Sequence, residues 1–451
     1  MDVNTRQTAC IVLAAGQSRR MRSSLSKVFH DLSGRTVLGH VLHTLNQLPL
    51  TQVVIVASPK TPTHNDYRTH AVVIQDEQLG TGHAVMVGFS GVLSGITDVL
   101  IVCGDVPLIT PNTLHRLLES SADFTLLKAQ LPESNAHLPY GRIVCDEDNK
   151  PTHIIEYKDA DDTIRASLWI NPGVYKISAK LLQILLPNLS RDNAAGEYYL
   201  TDLLHMAVAI GATTKAINVD FDEILGVNTR AELEQANVIV QQRLVAAHYE
   251  NGVTFQQSAS VYLCVDTEIG QDTIIEPFVT FGKGVVINAQ VRIKSFSYLS
   301  DCMLKSGVSV GPFAHIRGGV VMESGAEVGN FVELKATHMG KKAKAKHLTY
   351  LGDAKIGDGC NIGAGTITAN YDGFHKHQTI IANDVHTGAH TVLVAPVKVG
   401  EGAITAAGSV ITTDVPAHAL AIGRVVQTNK LNWAAAYKAR KRSNGVKKDK
   451  L

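Results

Sequence analysis

Short apolar runs alternate with amphipathic stretches in the first half of the chain. Mainly apolar runs occupy positions 9–15, 52–57 and 99–102, and a helical pattern occupies 37–48. Strands that alternate with helices predict an α/β domain with a mostly parallel sheet. Ligands of such sheets bind beyond the carboxyl ends of the strands, which is where Asp105 follows the third run.

A helix is predicted at 229–248, between the two halves of the chain. Apolar or small residues recur there at the spacing of one helix face, with charged and amide side chains on the other faces. These apolar or small positions are Leu233, Ala236, Val240, Leu244 and Ala247. We interpret the segment as a linker helix between two domains.

From about residue 260 the aliphatic positions follow a period of six, which matches no helix. The period suits a coil with three flat faces that each use one hexapeptide, so that neighbouring coils bury a continuous core. An ordinary β-sandwich with chance spacing is the alternative. After a slip of one residue between Leu299 and Leu304, the series continues; it comprises Leu263, Ile269, Ile275, Phe281, Ile287, Ile293, Leu299, Leu304, Val310, Ile316, Met322, Val328 and Leu334.

The repeat is interrupted at 335–349 and at 371–379, and both segments are rich in lysine and histidine. Insertions in solenoids loop out on one face, often the binding face. We therefore expect two loops there that hold an anionic ligand.

Composition narrows the functional classes. The chain has 451 residues, 45% hydrophobic and 18% charged, with a formal net charge of +1. This predicts two or three folded domains and gives no overall field that would attract nucleic acid or membrane. Six scattered cysteines without a CxxC pair favour a reducing cytoplasm over a zinc site or disulfides. The sequence shows no signal-peptide pattern or membrane-spanning run, and the basic runs at 438–442 and 447–450 are typical of a solvated, mobile tail.

The loop after the first apolar run carries candidate phosphate chemistry. Small residues let the backbone of 13–18 approach a ligand and turn its N–H groups toward phosphates. Arg20 and Lys27 add positive charge where phosphoryl charge develops. A small-residue loop alone is a weak signal, because most glycines only make turns.

With Arg20-Met21 and Lys27 the segment resembles the signature of sugar-phosphate nucleotidyltransferases. It is most similar to the bacterial bifunctional N-acetylglucosamine-1-phosphate uridylyltransferase and glucosamine-1-phosphate acetyltransferase family. The resemblance extends to about Asn429. Further matching stretches are Gln75, 78–84, 104–108, 140–143, 155–156, 158–160, Asn171, 197–202, 226–228, 311–314, Arg317, 328–333, Lys335, 347–353, 361–366, 370–373 and Lys376.

The resemblance implies an α/β plus all-β chain with four parts. These are a Rossmann-like uridylyltransferase domain at 1–228, a linker helix at 229–250, a left-handed parallel β-helix of hexapeptide repeats with acetyltransferase activity at 251–430, and a basic tail at 431–451.

For the first domain the resemblance implies Mg²⁺ held by Asp105 and Asn228, with Lys27 and Arg20 as catalytic cations. Two hard oxygen ligands plus phosphate oxygens suit that ion; the alternative for Asp105 is a turn or cap residue. Residues implied to bind nucleotide or sugar are Leu13, Ala14, Ala15, Gly16, Lys27, Gln75, Gly80, Thr81, Cys103, Gly141, Glu156, Asn171 and Asn228.

For the β-helix the resemblance implies a site between neighbouring subunits of a homotrimer, with His347 as the proton acceptor. A histidine near its ordinary pKa suits an amine that must lose a proton. Residues implied to bind the sugar phosphate are Arg317, Lys335, Tyr350, Asn361, Asn370, Tyr371 and Lys376. Those implied for acetyl-CoA are Ala364, Asn370, Tyr371, Ala389, Ala407 and Arg424.

The implied function is cytoplasmic synthesis of UDP-N-acetylglucosamine for peptidoglycan and lipopolysaccharide. Glucosamine-1-phosphate is acetylated by acetyl-CoA, and N-acetylglucosamine-1-phosphate then receives UMP from UTP; neither nucleic acid nor membrane takes part. Two alternatives stay open: a nucleotidyltransferase whose β-helix only trimerises or regulates, and a binding scaffold without activity.

Several positions depart from the family pattern. A Gly-Thr pair is usual at Ser18-Arg19, and a proline is usual at Ser26. The remaining departures are Cys103, Pro172, Ala389 and Val426. None removes a charge that the chemistry requires.

Overall fold

The computed structural model describes residues 7–445 except 62 and 136. The chain forms two compact units. Unit 1 contains the described residues up to His248 together with Leu263–Asp266, and unit 2 contains Tyr249–Tyr262 and the described residues from Thr267 onward.

Unit 1 is an α/β structure. Its strands are β1 Thr8–Leu13, β2 Asp31–Leu32, β3 Arg35–Thr36, β4 Gln52–Ala57, β5 Ala71–Ile74, β6 Asp98–Cys103, β7 Phe124–Gln130, β8 Arg142–Cys145, β9 Pro151–Ile155, β10 Trp169–Ile170, β11 Tyr175–Ser178 and β12 Thr214–Val219. Its helices are α1 Val37–Leu45, α2 Thr81–Ser90, α3 Pro111–Leu118, α4 Asp162–Ala166, α5 Ala179–Leu185, α6 Asp202–Ala209 and α7 Arg230–Glu250, whose final residues belong to unit 2.

The main sheet is mixed, so the prediction of a mostly parallel sheet is wrong for its second half. Its order is β5-β4-β1-β6-β11-β7-β10-β8-β9, with β12 beside β7. Strands β5, β4, β1 and β6 are parallel, whereas β11 runs antiparallel to β6 and β7. Strands β8 and β9 pair antiparallel because the short turn between them leaves no room for a helical crossover.

Buried side chains fill both faces of this sheet. Leu38 of α1 and Leu114 of α3 are fully buried in the cluster on one face, and Val85 of α2 and Leu203 of α6 in the other. The packing holds the carboxyl ends of β1 and β6 side by side, in the register Leu13 to Cys103.

Helix α7 confirms the helix predicted at 229–248, and it packs on unit 1. Ala236 and Val240 are buried against Val37 and Val227. Ala247, which the pattern assigned to the buried face, is exposed, and His248 is buried instead.

Unit 2 consists almost entirely of short strands. They are β13 Thr254–Phe255, β14 Glu268–Ile269, β15 Ile274–Ile275, β16 Thr280–Phe281, β17 Val285–Ile287, β18 Arg292–Ile293, β19 Tyr298–Leu299, β20 Cys302–Leu304, β21 Ser309–Val310, β22 His315–Arg317, β23 Val320–Met322, β24 Glu327–Lys335, β25 His338–Met339, β26 Lys344–Gly352, β27 Ala354–Ile356, β28 Asn361–Ile362, β29 Ile367–Ala369, β30 Thr379–Ile381, β31 His386–Thr387, β32 Val392–Val394, β33 Val397–Val399, β34 Ile404–Thr405, β35 Val410–Ile411 and β36 Leu420–Ala421. One helix follows, α8 Trp433–Gly445.

The strands pair in parallel with their equivalents in the next coil, which gives three faces. Ile275 pairs with Ile293 on the first face, and Leu299 pairs with Ile316 on the second. All thirteen predicted rung positions are buried. The hexapeptide coil is therefore confirmed, and the arrangement is consistent with the predicted left-handed β-helix.

The prediction of a loop at 335–349 is wrong, because this segment forms another coil. Val328 pairs with Ala345 and Leu334 pairs with Leu351, and Met339 is the fully buried rung of β25 on the third face. The pattern missed the coil because the rung slips by one residue after Leu334 and then uses an alanine. The interruption at 371–379 is confirmed as a loop between β29 and β30, where Tyr371 forms a bridge with Lys376.

Within the basic tail, the described residues include helix α8, and the residues at 431–442 are exposed. Three consecutive alanines favour the helix. Trp433 stacks on Tyr437 one turn later with ring centroids 5.1 Å apart, and Lys441 lies 5.9 Å from the Tyr437 ring. The basic run at 447–450 lies outside the described residues. None of the described helices has the length and apolar character needed to cross a membrane.

Candidate functional site

The loop that is predicted to bind phosphate, here called the phosphate-facing loop, begins where β1 ends and reaches Phe29. It continues through two short 3-10 turns, Arg19–Met21 and Lys27–Phe29. Met21, Val28 and Phe29 are buried and anchor the two turns in the core. Lys27 is thereby held at the carboxyl end of β1, where the fold predicts a ligand.

Lys27, Asp105 and Asn228 converge at one point, as the resemblance requires. The Lys27 ammonium forms an ion pair with the Asp105 carboxylate and donates a hydrogen bond to Asn228 Oδ1 at 2.6 Å. The Lys27 and Asp105 side chains are only 14% and 19% exposed. Because both acceptor oxygens reach the same cation, a divalent ion of hard character fits between them.

The segment that carries Asn228 is fastened from two sides. The Val227 N–H donates to the Asp105 carbonyl at 2.8 Å. The Glu232 carboxylate accepts the N–H groups of Asn228 and Thr229, both at 2.8 Å. Glu232 N–H returns a bond to Thr229 Oγ1 at 3.2 Å, which completes a capping box at the start of α7.

A cavity of about 490 Å³ extends from this cluster along the end of the sheet. Its lining contains the predicted metal ligand Asp105 and most of the predicted nucleotide and sugar residues, namely Leu13, Ala14, Ala15, Gly16, Lys27, Gln75, Gly80, Thr81 and Cys103. Gln75, Gln78 and Thr81 form one uncharged polar part of this lining. This part can read a planar base by hydrogen bonds.

Gly80 is needed for its backbone conformation, with φ at 115°. A Cβ at this position would lie 2.6 Å from the Tyr198 carbonyl. Only glycine combines such a φ with so close an approach. It lets α2 begin at Thr81, and the Gly82 N–H in its first turn donates to the Tyr198 carbonyl at 2.8 Å.

The predicted sugar residues form a smaller cavity of about 180 Å³, lined by Gly141, Glu156 and Asn171. Asn171 Nδ2 donates to Tyr175 Oη at 2.6 Å. Burial raises the pKa of Glu156, and a hydrogen bond from Thr201 at 3.1 Å opposes that rise. A fixed amide and a carboxylate suit the hydroxyl and acetamido groups of a sugar.

Arg19 and Arg20 face different cavities. Arg19 lines the nucleotide cavity, whereas Arg20 lines an adjoining one together with Asp105 and Asn228. Cys103 lines both, and burial raises the pKa of its thiol to about 12. This thiol therefore stays protonated and serves as a wall of the site instead of as a nucleophile.

In unit 2 a chain of contacts joins Lys335, Asp353, Asn370 and Tyr350. Lys335 Nζ lies 3.0 Å and 3.1 Å from the two Asp353 carboxylate oxygens. Asn370 Nδ2 donates to the same carboxylate and lies 3.5 Å from Tyr350 Oη. Four polar side chains from three successive coils thus form one surface.

Further cations surround that surface. Arg317 pairs with Glu333 at 2.6 Å, one coil before Lys335. Lys376 comes from the inserted loop, and its pKa is lowered by the neighbouring ammonium of Lys335. Two lysines held against each other attract a multivalent anion such as a phosphate monoester.

His347 lies in β26 and is exposed, not in a loop as predicted. Its Nδ1 lies 2.9 Å from Asn330 Oδ1, on the preceding coil. An amide oxygen can only accept, so this bond places the imidazole proton on Nδ1 and leaves the Nε2 lone pair free.

The predicted acetyl-CoA residues Ala364, Ala389, Ala407 and Arg424 follow His347 along one corner of successive coils. The Gly365 N–H donates to the His347 carbonyl at 3.4 Å, and the Gly408 N–H donates to the Ala389 carbonyl at 2.8 Å. Ala389, Ala407 and Arg424 are exposed there, and Ala364 is half-buried; together these four residues define a strip along the corner. Asn361 lies instead on the first face, where it pairs with Lys344 and His386.

Sequence reasoning missed four residues whose side chains support these sites. Thr229 and Glu232 carry the capping-box signature, which could have been found from their spacing. Asn330 and Asp353 lie inside matched stretches but gain meaning only through contacts across coils. Among the described residues, no group of three or more His, Cys, Asp or Glu could hold a metal by itself.

Comparison with known proteins agrees with this geometry. The MobA-like NTP transferase domain family matches residues 10–139. The bifunctional protein GlmU of Paramagnetospirillum magneticum is 42% identical over 446 residues, which are 98% of this chain and 99% of that protein. GlmU of Jannaschia sp. is 42% identical over 98% of both chains, and GlmU of Streptococcus agalactiae is 39% identical over 94% of this chain and 97% of its own length. The chain belongs to the bifunctional GlmU family.

Proposed function

We propose that the chain makes UDP-N-acetylglucosamine in two steps. Unit 2 transfers the acetyl group of acetyl-CoA to the amine of glucosamine-1-phosphate. Unit 1 then transfers UMP from UTP to the resulting N-acetylglucosamine-1-phosphate and releases pyrophosphate. The meeting of Lys27, Asp105 and Asn228 beside a base-sized cavity is the observation that carries the second step.

In the uridylyl transfer the sugar phosphate oxygen attacks the α-phosphorus of UTP. The nucleophile is already an anion, so no base is needed and alignment together with charge neutralisation supplies the catalysis. Lys27 neutralises the phosphoryl charge, and Arg20 acts from the adjoining cavity. Glu156 and Asn171 orient the sugar.

Mg²⁺ fits the pair of oxygens that Asp105 and Asn228 present to one point. Two protein ligands leave the remaining positions to phosphate oxygens and water, which is the usual arrangement for this ion. When bound, it neutralises phosphate charge and orients the triphosphate.

In the acetyl transfer the amine nitrogen attacks the thioester carbonyl, and coenzyme A leaves as the thiol. His347 Nε2 accepts the amine proton, because Asn330 holds the proton of the other ring nitrogen. Lys335, Lys376 and Arg317 bind the sugar phosphate. Ala364, Ala389, Ala407 and Arg424 contact coenzyme A, and Asn370 and Tyr371 contact both the sugar phosphate and coenzyme A.

We further propose a homotrimer that works in the cytoplasm. Asn361 lies on a different face of the β-helix from Lys335 and its contacts. A single subunit therefore presents the residues predicted to bind the sugar phosphate in two separate groups. A neighbouring subunit would bring such groups together. UTP and acetyl-CoA are cytoplasmic substrates, and the six cysteines are free thiols. Light scattering of the purified chain measures the subunit number.

Two variants test the assignment of the two sites. His347→Ala is expected to lower acetyl transfer by about 10²–10⁴-fold, the usual contribution of a general base, and to leave uridylyl transfer intact. Asp105→Asn is expected to do the reverse. Release of free thiol reports the first reaction, and release of pyrophosphate reports the second.

Matched controls are His418→Asn, in an exposed turn of unit 2, and Asp220→Asn, which is exposed in unit 1. Both should keep both activities. A folded His347→Ala or Asp105→Asn protein that lost both reactions would contradict two independent sites. A wild-type chain that forms pyrophosphate but never releases coenzyme A would instead favour a β-helix that only assembles or regulates.

A further inference from the structure

Two serines of the phosphate-facing loop use their hydroxyl groups in an unusual way. Ser18 and Ser26 stand at the N-caps of the two 3-10 turns, and neither hydroxyl caps its own turn. Ser18 Oγ instead accepts the Lys27 N–H at 2.7 Å and lies 3.3 Å from Ser26 Oγ. The Ser18 side chain therefore links the first turn to the backbone at the start of the second turn.

We infer that Ser18 is a positioning residue that sets the place of Lys27 in the uridylyl transfer; the inference rests on the proposed function of unit 1. The residues between the two turns do not provide this tie. Arg22 adopts a left-handed conformation, and Ser24 and Leu25 are exposed. The Ser18 bond spans this exposed stretch at its base.

The backbone of Lys27 matters because its side chain is long and flexible. A lysine loses rotamer freedom when its ammonium is fixed on a target, and that loss opposes binding. Anchoring the Lys27 N–H restricts where its ammonium can reach, and this region includes Asp105 and Asn228. Ser18 thus acts through Lys27 without touching the reacting phosphate.

A substitution at Ser26 can restrict the backbone before Lys27 without the Ser18 hydrogen bond. Its φ is −60° and its ψ is 143°, which a proline adopts without strain. The Ser26 N–H donates no hydrogen bond to any of the described residues, so a proline at this position removes no hydrogen bond. Proline stiffens the unfolded and flexible states of the loop instead of adding a contact.

The experiment compares Ser18→Ala, Ser18→Thr and the double variant Ser18→Ala/Ser26→Pro in the full chain. Ser18→Ala is expected to lower kcat of uridylyl transfer about tenfold, the scale of one hydrogen bond, while KM for UTP changes less than twofold. Ser18→Thr keeps the hydroxyl and should retain wild-type kcat. The double variant should recover at least half of the lost rate.

Acetyl transfer by the same polypeptide is the internal control and should not change. A second measurement asks whether Ser18 acts through Lys27. In a Lys27→Met background the Ser18→Ala change should have no further effect, because coupled residues are not additive.

Equal kcat in Ser18→Ala and wild type would overturn the inference. So would an additive loss in the Lys27→Met background. An inactive wild-type chain would instead refute the proposed function of unit 1, so the two failures are distinguishable.

Discussion

Lys27 occupies the place between two oxygens that the proposed metal would use. In the absence of ligands its ammonium is therefore a competitor of the ion. Lys27→Met removes this competitor and preserves the length of the side chain. We expect the variant to bind a divalent cation more tightly when no nucleotide is present, although it catalyses uridylyl transfer more slowly.

The magnitude follows from the contacts. Lys27 makes one ion pair with Asp105 and one hydrogen bond with Asn228, and both partners are largely shielded from solvent. A hydrogen bond to a charged group contributes roughly 1.5–3 kcal/mol. Since 1.4 kcal/mol corresponds to a factor of ten, releasing these oxygens should lower the Kd for Mn²⁺ by about tenfold or more.

The assay is a Mn²⁺ titration followed by electron paramagnetic resonance, because the signal of the free ion reports binding without turnover. Lys60→Met is the matched control, since Lys60 lines a neighbouring cavity. Pyrophosphate release by Lys27→Met should fall by about 10²–10³-fold, as for the loss of a preorganised charge. Unchanged or weaker Mn²⁺ binding in Lys27→Met would refute the shared position.

Three further predictions address other parts of the chain. Glu232→Ala breaks the capping box that holds Asn228, so it should cost about 1 kcal/mol of stability and lower uridylyl transfer alone. Gly329→Ala places a Cβ 1.9 Å from the Lys346 carbonyl, so it should cost about 1–3 kcal/mol and lower acetyl transfer alone. Burial lowers the pKa of His40 to about 4. The unfolded chain then binds more protons at that site below pH 6.5, so His40 should contribute about 3 kcal/mol to the stability lost between neutral pH and pH 4, and His40→Gln should remove that contribution.

Thermal and urea unfolding, together with the two activity assays, check these outcomes. Glu232→Gln is the control for the capping box, because an amide oxygen can accept the same N–H groups. Wild-type stability in Gly329→Ala would show that neighbouring coils separate easily. An identical pH dependence of stability in His40→Gln and wild type would mean that another group titrates in that window.

The rungs of the β-helix were predictable because each is an aliphatic residue at a fixed interval. The coil through Met339 and Ala345 was not, since alanine carries too little hydrophobic signal to mark a rung. That omission also concealed the contact between His347 and Asn330, which are neighbours only when the coil is counted. Local spacing therefore determines the repeat, whereas contacts between coils depend on its correct length.

In the nucleotide site of unit 1, too, local spacing predicts individual residues but not the contacts between distant ones. The loop before Lys27 and the position of Asp105 after a strand are local patterns. The approach of Asn228 to Lys27 joins residues 201 positions apart, and only the packed sheet creates it. The antiparallel entry of β11 likewise depends on tertiary packing, because its apolar residues suit either direction.

The loop at 371–378 is the place where this solenoid can vary in length. Each coil must return to its starting corner, so one residue added inside a strand such as β26 would turn the following interior side chains of that strand toward solvent. The loop leaves the stack after β29 and returns at β30, so its own length does not alter the rungs. Because this loop brings Lys376 next to Lys335, mutation there can change the proposed sugar-phosphate site while the scaffold stays the same.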